Sequence, residues 1–232
     1  MTKRLQTLGV VLAVIGLGFL AGAGVAFAKV QAGYASLHAL SAAQNVELTY
    51  NADGQLADDT GSTKEATAIM SLLQDDWKYP VVKSDLNPND PVVNTASEYM
   101  YQMATITYHT ITRPQTVVLP EDVTADNGKV FKAGSYDFNP NGKYWTGYDR
   151  SNPIEAIARD QAWSGTAHGL IAELGVGTVT HSALQLGLAI AGILAGLGLT
   201  IILAGLGLFW AGRAPAKTVA PIAQRIEEPV LV

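Results

Sequence analysis

The sequence predicts a membrane protein: two transmembrane α-helices extended outward as a stalk, with a small α+β extracytoplasmic domain inserted between them. Three observations carry this prediction. Leu8 to Ala28 is an uncharged run of 21 residues, and Leu186 to Ala211 is a second of 26. Each reaches the roughly 20 residues that a helix needs to cross a hydrocarbon core of ~30 Å. Between them, residues 29–182 hold ten Lys/Arg against eighteen Asp/Glu, a balance of −8.

Charge at the ends sets the orientation. Lys3 and Arg4 precede the first run, and Arg213, Lys217 and Arg225 follow the second. Short basic flanks stay in the cytoplasm, so both termini are expected inside the plasma membrane and the acidic middle outside. The expected division is a cytoplasmic start over 1–7, spans over 8–28 and 183–212, an extracytoplasmic domain over 29–182 and a cytoplasmic tail over 213–232. An acidic outer domain argues against nucleic acid as a ligand. The chain has no cysteine, which excludes disulfides, thiolate metal sites and cysteine nucleophiles.

The first span admits two readings. Ala26 and Ala28 occupy the small positions of an A-x-A signal-cleavage site, and cleavage after Ala28 would leave a single span. A cleaved signal has an apolar region of about 7–15 residues, shorter than this run. Val30, Tyr34, Leu37 and Leu40 then recur at helical spacing, which favours an uncut helix running outward to about Gln44.

Glycines mark where the spans pack. Gly18 and Gly22 form a G-x-x-x-G in the first span, and Gly192 and Gly196 form one in the second; small residues four apart let helix backbones approach closely in lipid. The second span repeats ILAGLGL at 193–199 and 202–208. Gly192, Gly196 and Gly207 therefore share one face, while Gly198, Gly205 and Gly212 share the opposite one at heptad spacing. One face is available to the first span and the other to a foreign helix; abundant glycine in membrane helices is the plainer explanation. Neither span carries an ionisable residue, as transport or proton relay would require, so both read as anchors or packing surfaces.

In the middle segment, NVELTY reads as a short strand or extended piece before a polar loop. Ser62 and Glu65 have capping-box spacing for a helix through Trp77, and Thr95 and Glu98 have it for a second. The second helix is expected to last to about Tyr108, although the β-branched tail 104–112 is compatible with an extended chain. TVVLP and VFKAGSYDF read as two strands with Asn127-Gly128 as the turn. Asn152-Pro153 opens a further helix, which breaks at Ser164-Gly165 and resumes into the second span.

No catalytic constellation stands out. His38, His109, His168 and His181 are far apart in sequence, and metal sites use short helical spacings. The paired acids Asp58/Asp59, Asp75/Asp76 and Glu121/Asp122 read as solvated loop charge. No cofactor or metal is expected, and no haem-attachment or copper motif is present. Tyr144, Trp145 and Tyr148 lie within five residues; they read as core or as a docking surface.

The segments LPEDVTADNGKVFKAGSYDF, GKYWTGYDRSNP and AWSGTAHGLIAELGVGTVTHSALQLGLAIAG resemble a family of two-span actinobacterial membrane proteins of unknown activity. Some members carry a label of aromatic ring-opening dioxygenase, whose iron site of histidines and an acid finds no counterpart in four scattered histidines. Such proteins are similar to accessory subunits of the actinobacterial respiratory supercomplex. The resemblance implies a non-catalytic subunit whose partners are integral membrane proteins, among them cytochrome bc complex or terminal oxidase subunits. The alternative from the residues is a membrane-tethered enzyme or small-ligand receptor with a site formed by distant residues.

Overall fold

Four helices start on a side chain that accepts from their first turn. The computed structural model describes residues 2–213, in the order α1 (Thr2–Gln44), α2 (Thr63–Ser71), α3 (Ala96–Thr112), β1 (Gln115–Leu119), β2 (Val123–Thr124), β3 (Val130–Phe131), β4 (Gly134–Phe138), α4 (Pro153–Ala162) and α5 (Gly165–Ala211). Ser62 accepts from Lys64 N, Thr95 from Glu98 N, Asn152 from Ile154 N, and Ser164 from Ala167 N. Each bond satisfies a donor that the first turn leaves without a partner. The expected tail lies, beyond Arg213, outside the described residues.

The described chain divides into two compact units, residues 2–27 with 189–213 and residues 28–188. In the first, α1 and α5 are long and apolar enough to cross a membrane. Their outward side chains are hydrophobic: Val14 is 62% exposed, Leu203 68% and Trp210 79%. A soluble helix would cover such residues.

The second unit holds the small sheet region. Its main core gathers Leu48, Ile69, Leu73, Tyr99, Tyr101, Ala104, Ile111 and Trp163. A satellite core packs Val117 and Leu119 of β1 against Ala158 of α4. α1 ends at Asn45, which takes the left-handed conformation at φ 51° and donates its N–H to the Ser41 carbonyl. Asparagine tolerates this conformation better than most residues. Residues 46–56 form no strand but extended chain with isolated bridges, Glu47 with Val92 and Tyr50 with Leu56, the second of the two forms expected there.

Two further expectations need correction. α3 does not become extended after Tyr108 but stays helical to Thr112. Its threonines turn back on the helix: Thr105 donates to the Tyr101 carbonyl, Thr110 to Ile106 and Thr112 to Tyr108. That bonding consumes the hydroxyls locally, while burial of Ala104, Thr107 and Ile111 fixes the face. VFKAGSYDF is not one strand. β1 pairs with β4, and the inner β2–β3 hairpin closes over Gly128 at φ 80°. Asp122 causes the break between β3 and β4 by accepting from Ala133 N and Lys132 Nζ.

Glu98 completes the capping box on α3 and is 1% exposed. Burial raises its pKa above the usual 4.5, against three lowering contacts from Asn94 N and Thr95 N and Oγ1. A raised folded pKa means a contribution fully present below the unfolded value and lost as pH rises through the folded one. Glu98→Gln should therefore flatten the stability–pH curve from about pH 4.5 upward, read as urea midpoints at a series of pH values. An unchanged slope would contradict this origin.

Candidate functional site

Within the first unit, α1 and α5 touch backbone to backbone. A Cβ added at Gly9 would lie 2.5 Å from the Gly205 carbonyl oxygen, and one at Gly198 would lie 2.8 Å from that of Gly16. Gly212 meets the Thr2 carbonyl and Gln6 in the same way, and the Gln6 side-chain amide donates to the Gly212 carbonyl. The seam therefore runs on Gly9 and Gly16 against Gly198, Gly205 and Gly212. The G-x-x-x-G pairs do not form it: a Cβ at Gly18, Gly22, Gly192 or Gly196 would meet nothing within 4 Å. Gly18 stands two residues, or about 200°, around the helix from Gly16. Of the glycines expected to pack helices, Gly198 and Gly205 lie on the seam, and Gly18, Gly22, Gly192 and Gly196 lie off it.

In the second unit the pairing of α1 and α5 uses larger side chains. Gly33 receives Leu184, and Gly187 receives Val30. Tyr99 of α3 then enters from the side. Its ring lies against Gly177, where a Cβ would stand 2.7 Å from Cε1, and its hydroxyl bonds Ser41 Oγ at 2.6 Å. Both partners of that bond are buried. Tyr34 stacks near His38 and edge-on to His181, with centroids 5.9 and 5.6 Å away, so the two histidines expected just outside the spans flank one tyrosine. His181 is buried and its Nδ1 has no partner among the described residues.

A polar cleft of about 270 Å³ opens beside α2 and α3. Glu65 of α2 bonds His109 of α3 through Oε1, and Arg113 stands 3.8 Å from the same oxygen. Arg113 also lies 3.1 Å from His109 Nε2. One ring nitrogen cannot serve both neighbours; with the proton on Nε2, His109 donates to Glu65. Glu65 thus leaves the capping box the sequence predicts, and Ser62 caps α2 alone. Glu47, Asp58, Asp59 and Tyr101 also line this cleft. The spacing of four between His109 and Arg113 placed both on one helix face, but Glu65 approaches from 44 residues away, where no sequence pattern points. Among the described residues no three His, Asp or Glu converge to hold a metal.

The aromatic stretch is tied inward. Tyr148 is 6% exposed and packs on Phe138, which removes it from any docking surface. Trp145 lies under the Arg159 guanidinium at 4.2 Å and edge-on to His168. Tyr144 accepts from Trp77 Nε1 and packs on Trp163, yet remains 42% exposed. Lys143 anchors the stretch by bonding the buried Glu155.

Comparison with protein-family models, with curated proteins and with solved structures gives no match.

The Tyr99 wedge makes separable predictions. Tyr99→Phe leaves Ser41 without its partner and should cost about 1–2 kcal/mol. Gly177→Ala forces the ring itself aside and should cost more, about 1–3 kcal/mol. Chemical unfolding of the detergent-solubilised chain measures both; equal and negligible effects would show that Tyr99 does not hold α3 in place.

Proposed function

We propose that the protein is a non-catalytic, membrane-anchored interaction protein, an accessory or assembly subunit of a larger membrane complex. In this reading α1 and α5 cross the plasma membrane, both termini are cytoplasmic, and residues 29–182 stand outside as a domain on a helical stalk. Helix length supports it: 43 residues in α1 and 47 in α5 span well beyond ~30 Å at about 1.5 Å per residue.

The observation that carries the reading is the set of glycines left over. Gly18 and Gly22 on α1, and Gly192 and Gly196 on α5, open onto empty space among exposed apolar side chains, while other glycines already join the two helices. Small-residue faces in lipid serve close helix packing, and these two faces are free for foreign helices. The partner is an integral membrane protein, of the kind found among cytochrome bc complex or terminal oxidase subunits, to which the resemblance points.

The seam and the free faces respond differently to bulk. Affinity purification in mild detergent should recover stoichiometric membrane partners with the parent chain. Gly192→Ile with Gly196→Ile should lose them while unfolding within about 0.5 kcal/mol of the parent. Gly205→Ile should instead unfold about 1–3 kcal/mol earlier, because it drives a side chain into backbone. Recovery of the parent chain alone as a monomer would refute the proposal.

A second reading, a tethered enzyme or small-ligand receptor, draws on the Glu65–His109–Arg113 cleft.

A further inference from the structure

The cleft beside α2 and α3 carries an inference that goes beyond the subunit reading and does not depend on it. We propose that it binds a small organic ammonium cation. Four carboxylates line it, Glu47, Asp58, Asp59 and Glu65, against one fixed cation, Arg113. A concave wall with that excess focuses negative potential and repels phosphates, nucleotides and carboxylates. At about 270 Å³ the cleft is slightly smaller than the ~300 Å³ at which sites for drug-sized ligands begin. The occupant is accordingly of metabolite size.

The acids alone would be an ordinary solvated surface. Tyr101 distinguishes this place. Its side chain lines the cleft although the residue is only 6% exposed, and no described residue hydrogen-bonds its hydroxyl. Burial first, then Tyr50 and Glu65, push the Tyr101 phenol up to about 12, although an ordinary phenol is already neutral at pH 7. Its uncharged oxygen is an acceptor for an N–H donor, and its ring is a face for a cation.

The carboxylates divide the work. Both Glu65 contacts fall on Oε1, so Oε2 is left for an ammonium proton. Asp58 is consumed by its own turn, accepting on Oδ1 from Thr60 N and Oγ1 and from Ser62 N. Glu47 and Asp59 are exposed at the rim, where they attract the ligand without holding the fold. A metal ion would need ligands converging from several sides, and that arrangement is missing among the described residues. An ammonium group needs only two or three acceptors on one side.

Calorimetry on the full chain in detergent, with putrescine as the probe, tests the site. Saturable binding is expected, and both the Glu47→Gln/Asp59→Asn pair and Tyr101→Phe should weaken it about three- to tenfold. The rim pair keeps the test valid should Tyr101→Phe fail to fold. Binding should weaken with added salt, as exposed charge pairs do. No saturable heat up to about 10 mM putrescine, the same affinity in the rim variants, or a stronger response to calcium chloride or sodium phosphate would each overturn the assignment.

Discussion

The structure depends on one steric condition: α1 and α5 approach until backbone meets backbone. Gly9 lies on Gly205 and Gly16 on Gly198, with no room for a single carbon at any of them. In the proposed membrane setting lipid tails are as apolar as leucine, so burying hydrophobic side chains between helices gains little, and dispersion between closely packed atoms holds the pair. Glycine permits that approach at a seven-residue step. The same step reaches Ala23 on α1 and Ala191 on α5, both nearly fully buried. A stripe of Gly and Ala repeated every seven residues is the condition for two long helices to remain side by side, with the Gln6–Gly212 hydrogen bond at one end of the stripe.

Within residues 28–188 the same two helices are held by a different means. Here Val30 and Leu184 fill the gap against Gly187 and Gly33, and α3 contributes Tyr99 as a wedge fixed by Ser41. Under the proposed membrane placement, the change from glycine to larger side chains coincides with a change from lipid to water, where apolar burial again supplies the driving force. α3 is the hub of this unit. Its start is locked by the Thr95–Glu98 box, its face carries Tyr99, Tyr101 and Ala104 into the core, and its end places His109 and Arg113 against Glu65.

Local rules accounted for what local chemistry decides. The Thr95 cap, the Asn152-Pro153 start, the Ser164-Gly165 break and the Asn127-Gly128 turn all follow from side chains within a few residues of each other, and each is where the sequence puts it. Rules of the same kind misread the Ser62–Glu65 spacing, because a histidine distant in sequence outcompeted the box for the carboxylate. They also ended α3 near Tyr108, four residues short: burial and hydroxyls bonded back to the helix overrode β-branching through Thr112. The cleft was not legible, since its residues come from four separate segments. The glycine motifs show a subtler failure. G-x-x-x-G and the heptad marked two small-residue faces without saying which meets the other helix; the heptad Gly198–Gly205–Gly212 is the one on the seam.

The two glycine stripes on α5 are more than one partner requires. The repeated ILAGLGL is offset by nine residues, two and a half helical turns, which turns its glycines to opposite sides. A helix that paired only with α1 would be served by the seam stripe alone. On the free face glycine offers no packing to α1 and costs about 1 kcal/mol of helix propensity relative to alanine. Leucine there would cover more lipid-facing backbone at no cost to the seam. Glycines at 192, 196 and 207 therefore make physical sense when another backbone comes close on that side, and the same holds for Gly18 and Gly22 on α1, about half a turn from Gly16.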